Sequence, residues 1–218
     1  MTTETPEQAR QRRAPLRGRV DFTMMYVAHD AFNRDLDRLT RAAERGDGFT
    51  SEAEATWRMF SKQLHTHHTA EDTALWPPLR DAVAETDLTV LDAMEDEHAQ
   101  IDPRLEAVDA AFADRDSASL GRELRALATG LALHMRHEEE AALPLLERTL
   151  GAAGWAAFAA RVRDENGGIR GGAQYLPWVL DGASDEMTRA VLAILPAPAR
   201  VIYRRRWAPR YRKSGLLT

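Results

Sequence analysis

Seven histidines and no cysteine bound the chemistry open to this chain. Without thiols there are no disulfides, thiolate metal sites, iron–sulfur clusters or cysteine nucleophiles. Four of the histidines recur with two glutamates in a fixed order: His29; His67 with Glu71; His98; His134 with Glu138. Residues four apart lie on one face of a helix, so each His-x-x-x-Glu aims an imidazole and a carboxylate the same way. All six stand at apolar positions of their segments. Burying six ionisable groups without partners costs several kcal/mol each, so something must satisfy them. Four imidazoles and two carboxylates converging in a protein interior form a dinuclear metal site, with two imidazoles to each ion and the carboxylates bridging. Six ligands are too many for one tetrahedral zinc, and a mixed imidazole and carboxylate set suits iron or manganese.

The segments that must position these groups read as helices. Between 20 and 150, four stretches repeat core positions at steps of three and four. Examples are Met25, His29, Phe32, Leu36 in the first and Leu127, Leu131, His134, Glu138 in the fourth. That spacing marks an amphipathic helix facing a core, and no stretch alternates with period two. Gly46-Asp47-Gly48 ends the first helix, and Ser51 to Glu54 has the form of a capping box. Ala84 to Asp87 and Asp114 to Ser117 are the next turns, and Gly151 closes the fourth helix. Short turns between long helices give antiparallel neighbours. The fold expected is therefore all-α, an up-down-up-down four-helix bundle with a short helical C-terminal extension.

In an antiparallel pair, two residues are level when their midpoint falls in the connecting turn. For His29 and His67 the midpoint is Gly48, for His98 and His134 it is Asp116, and for Glu71 and His98 it lies between Ala84 and Glu85. All six groups thus share about one layer. The chain also repeats itself: His67, Glu71 and Pro77 match His134, Glu138 and Pro144 at a constant offset of 67 residues. It reads as two helical hairpins related by a pseudo-twofold axis.

This ordered set, with the strings His67-His68-Thr69-Ala70-Glu71-Asp72 and His137-Glu138-Glu139, resembles the hemerythrin-like family of HHE cation-binding domains. The resemblance spans roughly 20–150. It implies a four-helix bundle around two iron ions with an oxo or hydroxo bridge beside the carboxylates, in preference to manganese or zinc. The chain departs from the oxygen-carrying members. Their third helix supplies His-x-x-x-His, whereas Asp102 stands here at the second position. Their last carboxylate is an Asp five residues after the His, whereas Glu138 follows at four. One iron thereby loses a histidine, whose place water, Asp102 or Tyr26 could take.

Of the other histidines, His68 is turned about 100° from His67, off the core face, within reach of Asp72 at i+4. His65, His68 and His137 are expected to support ligands or face solvent. Pro77, Pro78, Pro103 and Pro144 should kink or end their helices. Trp76, Met94, Tyr175 and Trp178 read as packing residues.

Residues 1–19 read as a polar arm and 151–218 as an extension packed on the bundle. In that extension Gly171, Gly172 and Pro177 break the chain into an irregular stretch, and Ser184 to Leu195 forms a capped helix. The net charge of −5 is uneven: +3 over residues 1–19, −16 over 20–186 and +8 over 187–218. The basic tail shows no nucleic-acid motif and is expected to lie on the acidic body. No apolar run reaches the about 18 residues of a membrane span. Arg12-Arg13 lacks the apolar stretch of an export signal, so a cytoplasmic place is expected, as monomer or homodimer.

Three functions fit: binding or sensing oxygen, nitric oxide or redox state; decomposing peroxide; and oxidising or buffering ferrous iron. The repeated Glu-x-x-His of ferritin-like bundles is missing, which argues against mineral storage. The first is preferred and a catalase-like activity is the alternative, with a small diatomic ligand or peroxide as partner and no catalytic residue assigned.

Overall fold

The computed structural model describes residues 4, 6–16, 18–165 and 167–217, and among these there is no strand. A short helix, α1 (Pro6–Arg13), precedes the bundle. The four long spans then run up, down, up and down. They are α2 (Thr23–Glu44); α3 (Ser51–Ala70), prolonged by α4 (Trp76–Ala82); α5 (Leu88–Asp114); and α6 (Ser117–His137), prolonged by α7 (Leu143–Thr149).

Local chemistry sets the ends. Gly46 takes φ +85°, a conformation that costs glycine little, and closes α2. Thr50 rather than Ser51 caps α3, accepting the Ala53 N–H on its hydroxyl at 3.2 Å. Asp116 caps α6 by accepting from Ala118 and Ser119 at 3.0 and 3.1 Å.

The prolines bend the winding of their helices instead of ending them. Between α3 and α4, Glu71–Leu75 forms a π turn in which Trp76 donates to the Glu71 carbonyl. Between α6 and α7, Glu138–Ala142 does the same, with Leu143 donating to Glu138. In each, proline stands six residues after the turn begins, at Pro77 and Pro144. A proline ring presses on the carbonyl four residues back, and the wider turn gives it room. A third π turn, Tyr203–Trp207, precedes Pro209 at the same distance. Pro103 lies within α5 without ending it.

The bundle has two apolar clusters. One holds Phe32, Leu36, Trp57, Phe60, Leu64 and Leu131 among others, and the second holds Met25, Trp76, Leu79, Met94, Leu143 and Leu146 among others. On every long span the ionisable groups fall at the junction of the two. The core is thus cut across by a polar layer.

The extension comprises α8 (Gly151–Glu165), α9 (Gly168–Val179), α10 (Asp185–Ile194), α11 (Ala197–Ile202) and α12 (Ala208–Tyr211). Here one expectation fails: α9 runs unbroken through Gly171, Gly172 and Pro177. Tertiary packing overrides their low helix propensity, because α9 buries Leu176, Trp178 and Val179 against the bundle. Trp178 lies 5.3 Å from the Phe32 ring and donates its indole N–H to Asp35 at 2.7 Å. Arg34 donates to the carbonyls of Trp178 and Asp181 at 2.8 and 2.6 Å.

The tail packs through Tyr203, Trp207 and Tyr211. The Leu217 N–H donates to the Thr56 hydroxyl of α3 at 2.9 Å, while the tail's cations stay unpaired. From Arg189 to Lys213 none forms an ion pair among the described residues, and Arg204, Arg205 and Arg206 are exposed. Solvation of a guanidinium is strong, so a surface ion pair has little to add.

Candidate metal centre

The polar layer contains two groups of donors. His29 on α2, His67 on α3 and Glu138 at the end of α6 offer atoms that all lie within 4.8 Å of one another. His68, Glu71, His98 and His134 form a second such group. All seven side chains are buried. Glu71 spans the two groups: Oε1 is 3.0 Å from His67 Nε2 and Oε2 is 3.5 Å from His98 Nε2. On the opposite side, Glu138 Oε2 is 3.1 Å from His29 Nε2.

These atoms lack hydrogen bonds. Nε2 of His29, His67 and His68 and both oxygens of Glu71 and Glu138 are buried with no partner in hydrogen-bond geometry. A native protein leaves few such groups orphaned, and here they converge. The ring nitrogens on the other side are satisfied. His29 Nδ1 lies 2.8 Å from Glu139, His98 Nδ1 2.8 Å from Asp72 and His134 Nδ1 2.9 Å from Glu97. A carboxylate holding Nδ1–H fixes the tautomer and turns the Nε2 lone pair inward, the arrangement of imidazoles that bind metal. His98 Nε2 and His134 Nε2 face each other at 3.1 Å. Two lone pairs at that distance need a proton or a metal ion between them. The donor set therefore fits metal ions.

Charge separates the two groups. With protein groups alone, burial opposes a proton on His29, but Glu138 and Glu139 outweigh it and push its pKa up to about 10. His67, buried beside that positive charge, is driven down to about 3. Burial and the Glu138 charge raise Glu71, while Glu138 is buried too yet drawn down by His29. Without metal the two carboxylates thus favour a proton on His29, which an entering ion would have to displace. Metal binding at pH 7 is expected to release at least one proton per chain, and affinity at this position to weaken about tenfold per pH unit of acidification. Calorimetry in buffers of different ionisation enthalpy measures the release, and a buffer-independent heat contradicts it.

The six residues expected in one layer are brought together there. Three further candidates are not. Asp102 is exposed and Tyr26 is half-buried under Arg13, with the guanidinium 4.8 Å from its ring; neither joins a donor group. His137 lies half-buried with Nδ1 2.8 Å from Glu97, and His65 is exposed. His68 departs from expectation. It is buried and stacks on His98 at 3.9 Å, and Asp72 holds His98 rather than His68. The α3 helix presents an arc wide enough to bury two adjacent residues, and both ring nitrogens face the layer.

Sequence reasoning missed Glu139 and Glu97. The signal for Glu139 was present in the repeat, because Asp72 and Glu139 stand 67 residues apart, each following a layer glutamate. Each accepts from the first histidine of the opposite hairpin, His98 and His29. The pseudo-twofold thus extends to the groups behind the donors. His68 has Met135 as its counterpart, and there the symmetry ends.

A family model, the hemerythrin HHE cation binding domain, matches residues 20–146. The chain belongs to this family. Among curated proteins and solved structures nothing matches it. The hemerythrin match contains all seven donors and ends before the extension, so the HHE unit is the bundle with its metal-binding layer. Within that match it is His68 on α3, and not Asp102 on α5, that completes the second donor group.

Proposed function

We propose that this HHE protein holds two iron ions and uses them to bind or respond to oxygen, nitric oxide or redox state. The observation that supports this most is Glu71, whose two oxygens face different donor groups, one beside His67 and one beside His98. His29, His67 and Glu138 would hold one ion, and His68, His98 and His134 the second, with Glu71 between them. When bound, the pair supplies Lewis acidity and one-electron redox chemistry. The side chains do the rest. Glu139, Asp72 and Glu97 hold the imidazoles in register, and the apolar clusters on either side exclude water. Every donor is less than a tenth exposed, so the ligand is small, a diatomic molecule or peroxide.

One feature favours peroxide decomposition as a second reading. The His29 group offers three donors outside Glu71 and the other offers three besides it, so neither ion is saturated in a six-coordinate shell. Metal analysis with anaerobic and aerobic absorption spectra tests the first reading: two irons per chain and a reversible spectral change with oxygen or nitric oxide. Oxygen evolution from added peroxide, lost in Glu71→Ala, would instead establish the enzyme. Replacing His98 by Ala is expected to lower metal content from two ions per chain to about one, while His65→Ala leaves it at two. Equal loss from both overturns the ligand assignment.

A further inference from the structure

The pseudo-twofold is broken on one side by α1. Asp72 and Glu139 occupy equivalent places, yet Asp72 has a side chain 45% exposed and Glu139 one only 1% exposed. What covers Glu139 is the N-terminal arm. Arg13 grips both its oxygens, Nε to Oε2 at 2.8 Å and Nη2 to Oε1 at 2.7 Å, and donates its third contact to Asp30 at 2.9 Å. Arg12 adds a bond to Glu139 Oε2 at 2.8 Å and is itself held by Glu4. Arg13 is buried, on an arm whose composition reads as solvent-facing.

A guanidinium fork on a carboxylate fixes its plane as well as its charge. The Glu139 oxygen so fixed is the one that takes His29 Nδ1–H. The other half of the layer has no such clamp. His98 and His134 lean on Asp72 and Glu97, whose side chains are 45% and 29% exposed. It has instead an additional imidazole, His68, where the repeat places Met135. Each half is thus reinforced differently, one by a fourth donor and one by a locked supporting carboxylate.

We propose that Arg13, with Arg12, is a positioning residue for the His29 half-site: docking of α1 fixes Glu139, Glu139 fixes His29, and the arm thereby determines whether that half-site keeps its ion. This rests on the two-ion reading above. The consequence is that the two ions are held with unequal support, and displacement of the arm frees only one.

The test uses the full-length, iron-loaded protein. Metal per chain is measured after desalting, and the rate of ion removal by a chelator is followed alongside helix content by circular dichroism. Arg13→Gln is expected to hold about one ion, or to release one ion about 10- to 100-fold faster, with helix content unchanged. Arg13→Lys, which keeps the charge but not the fork, should recover part of the retention. Gln11→Ala, on the exposed face of α1, should behave as wild type. Double variants locate the ion: Arg13→Gln with His29→Ala still holds one, and Arg13→Gln with His98→Ala holds none. A wild type with fewer than two ions overturns the two-ion reading, and this inference with it. A two-ion wild type whose Arg13→Gln variant keeps both ions at unchanged rates overturns this inference alone, as does a variant that loses both ions together with helix content.

Discussion

Removing the metal is expected to lower the midpoint of thermal unfolding by about 10 °C for each ion withdrawn. The argument begins with Glu71 and Glu138, both fully buried, whose four oxygens have no hydrogen-bond partner. Buried acceptors without donors cost about 1–3 kcal/mol each, and charged ones more. The protein resolves part of this by protonation, raising Glu71 and charging His29, but it cannot supply donors to every oxygen. An ion held a thousandfold above its dissociation constant adds about 4 kcal/mol. In a chain of this length each kcal/mol moves the midpoint by about 2–4 °C. Scanning calorimetry with and without chelator gives the difference. Equal midpoints would mean that the layer is stable without ions, and the fit between donors and metal would lose its physical basis. Glu71→Gln combined with Glu138→Gln should abolish the chelator effect, since the paired variant has no bridging carboxylate to strand.

Trp178→Ala is the second large effect, an expected loss of about 3–5 kcal/mol from deleting a fully buried indole. Two further consequences compound the cavity. Asp35, buried on α2, loses the indole N–H at 2.7 Å and keeps only Arg34 at 2.7 Å and the distant Arg38. The extension also loses its deepest hold on the bundle. Trp178→Phe separates these contributions: it retains packing on Phe32 and gives up the hydrogen bond, for an expected loss of about 1–3 kcal/mol. Denaturant unfolding of the three proteins reads both values. A loss below about 1 kcal/mol in Trp178→Ala would show that the extension contributes little to the stability of the bundle. Metal content should stay at the wild-type value, because every donor lies between α2 and α7.

The layer was legible because its residues violate the apolar pattern at positions that the turn midpoints place level. Helix ends at Gly46 and Asp116 were legible for the local reasons that glycine and aspartate favour them. The π turns left a trace that a test for steps of three and four passes over. Buried positions run 67, 71, 75, 79 and again 134, 138, 142, 146, in pure steps of four. Each such step overruns the 3.6-residue turn by about 40°, and three of them accumulate about 120°, close to the rotation of about 100° that one extra residue absorbs. His68 was misplaced because a fixed 100° rotation treats the core as a narrow seam, whereas its neighbours on α5 and α6 leave room for two adjacent side chains. The continuity of α9 and the burial of Arg13 depend on contacts over more than a hundred residues of chain. No local pattern encodes them.

The division of the interior into two apolar clusters has its own consequence for motion. Each cluster is cohesive, but the boundary between them is held by the donors rather than by hydrocarbon. The bundle therefore comprises two potential units of local opening, joined end to end, which bound metal would rivet together. With the rivets in place, slow amide exchange should extend without interruption along all four long helices. With them withdrawn, the plane of weakness runs through the level of Glu71 and Glu138, where the wide helical turns begin.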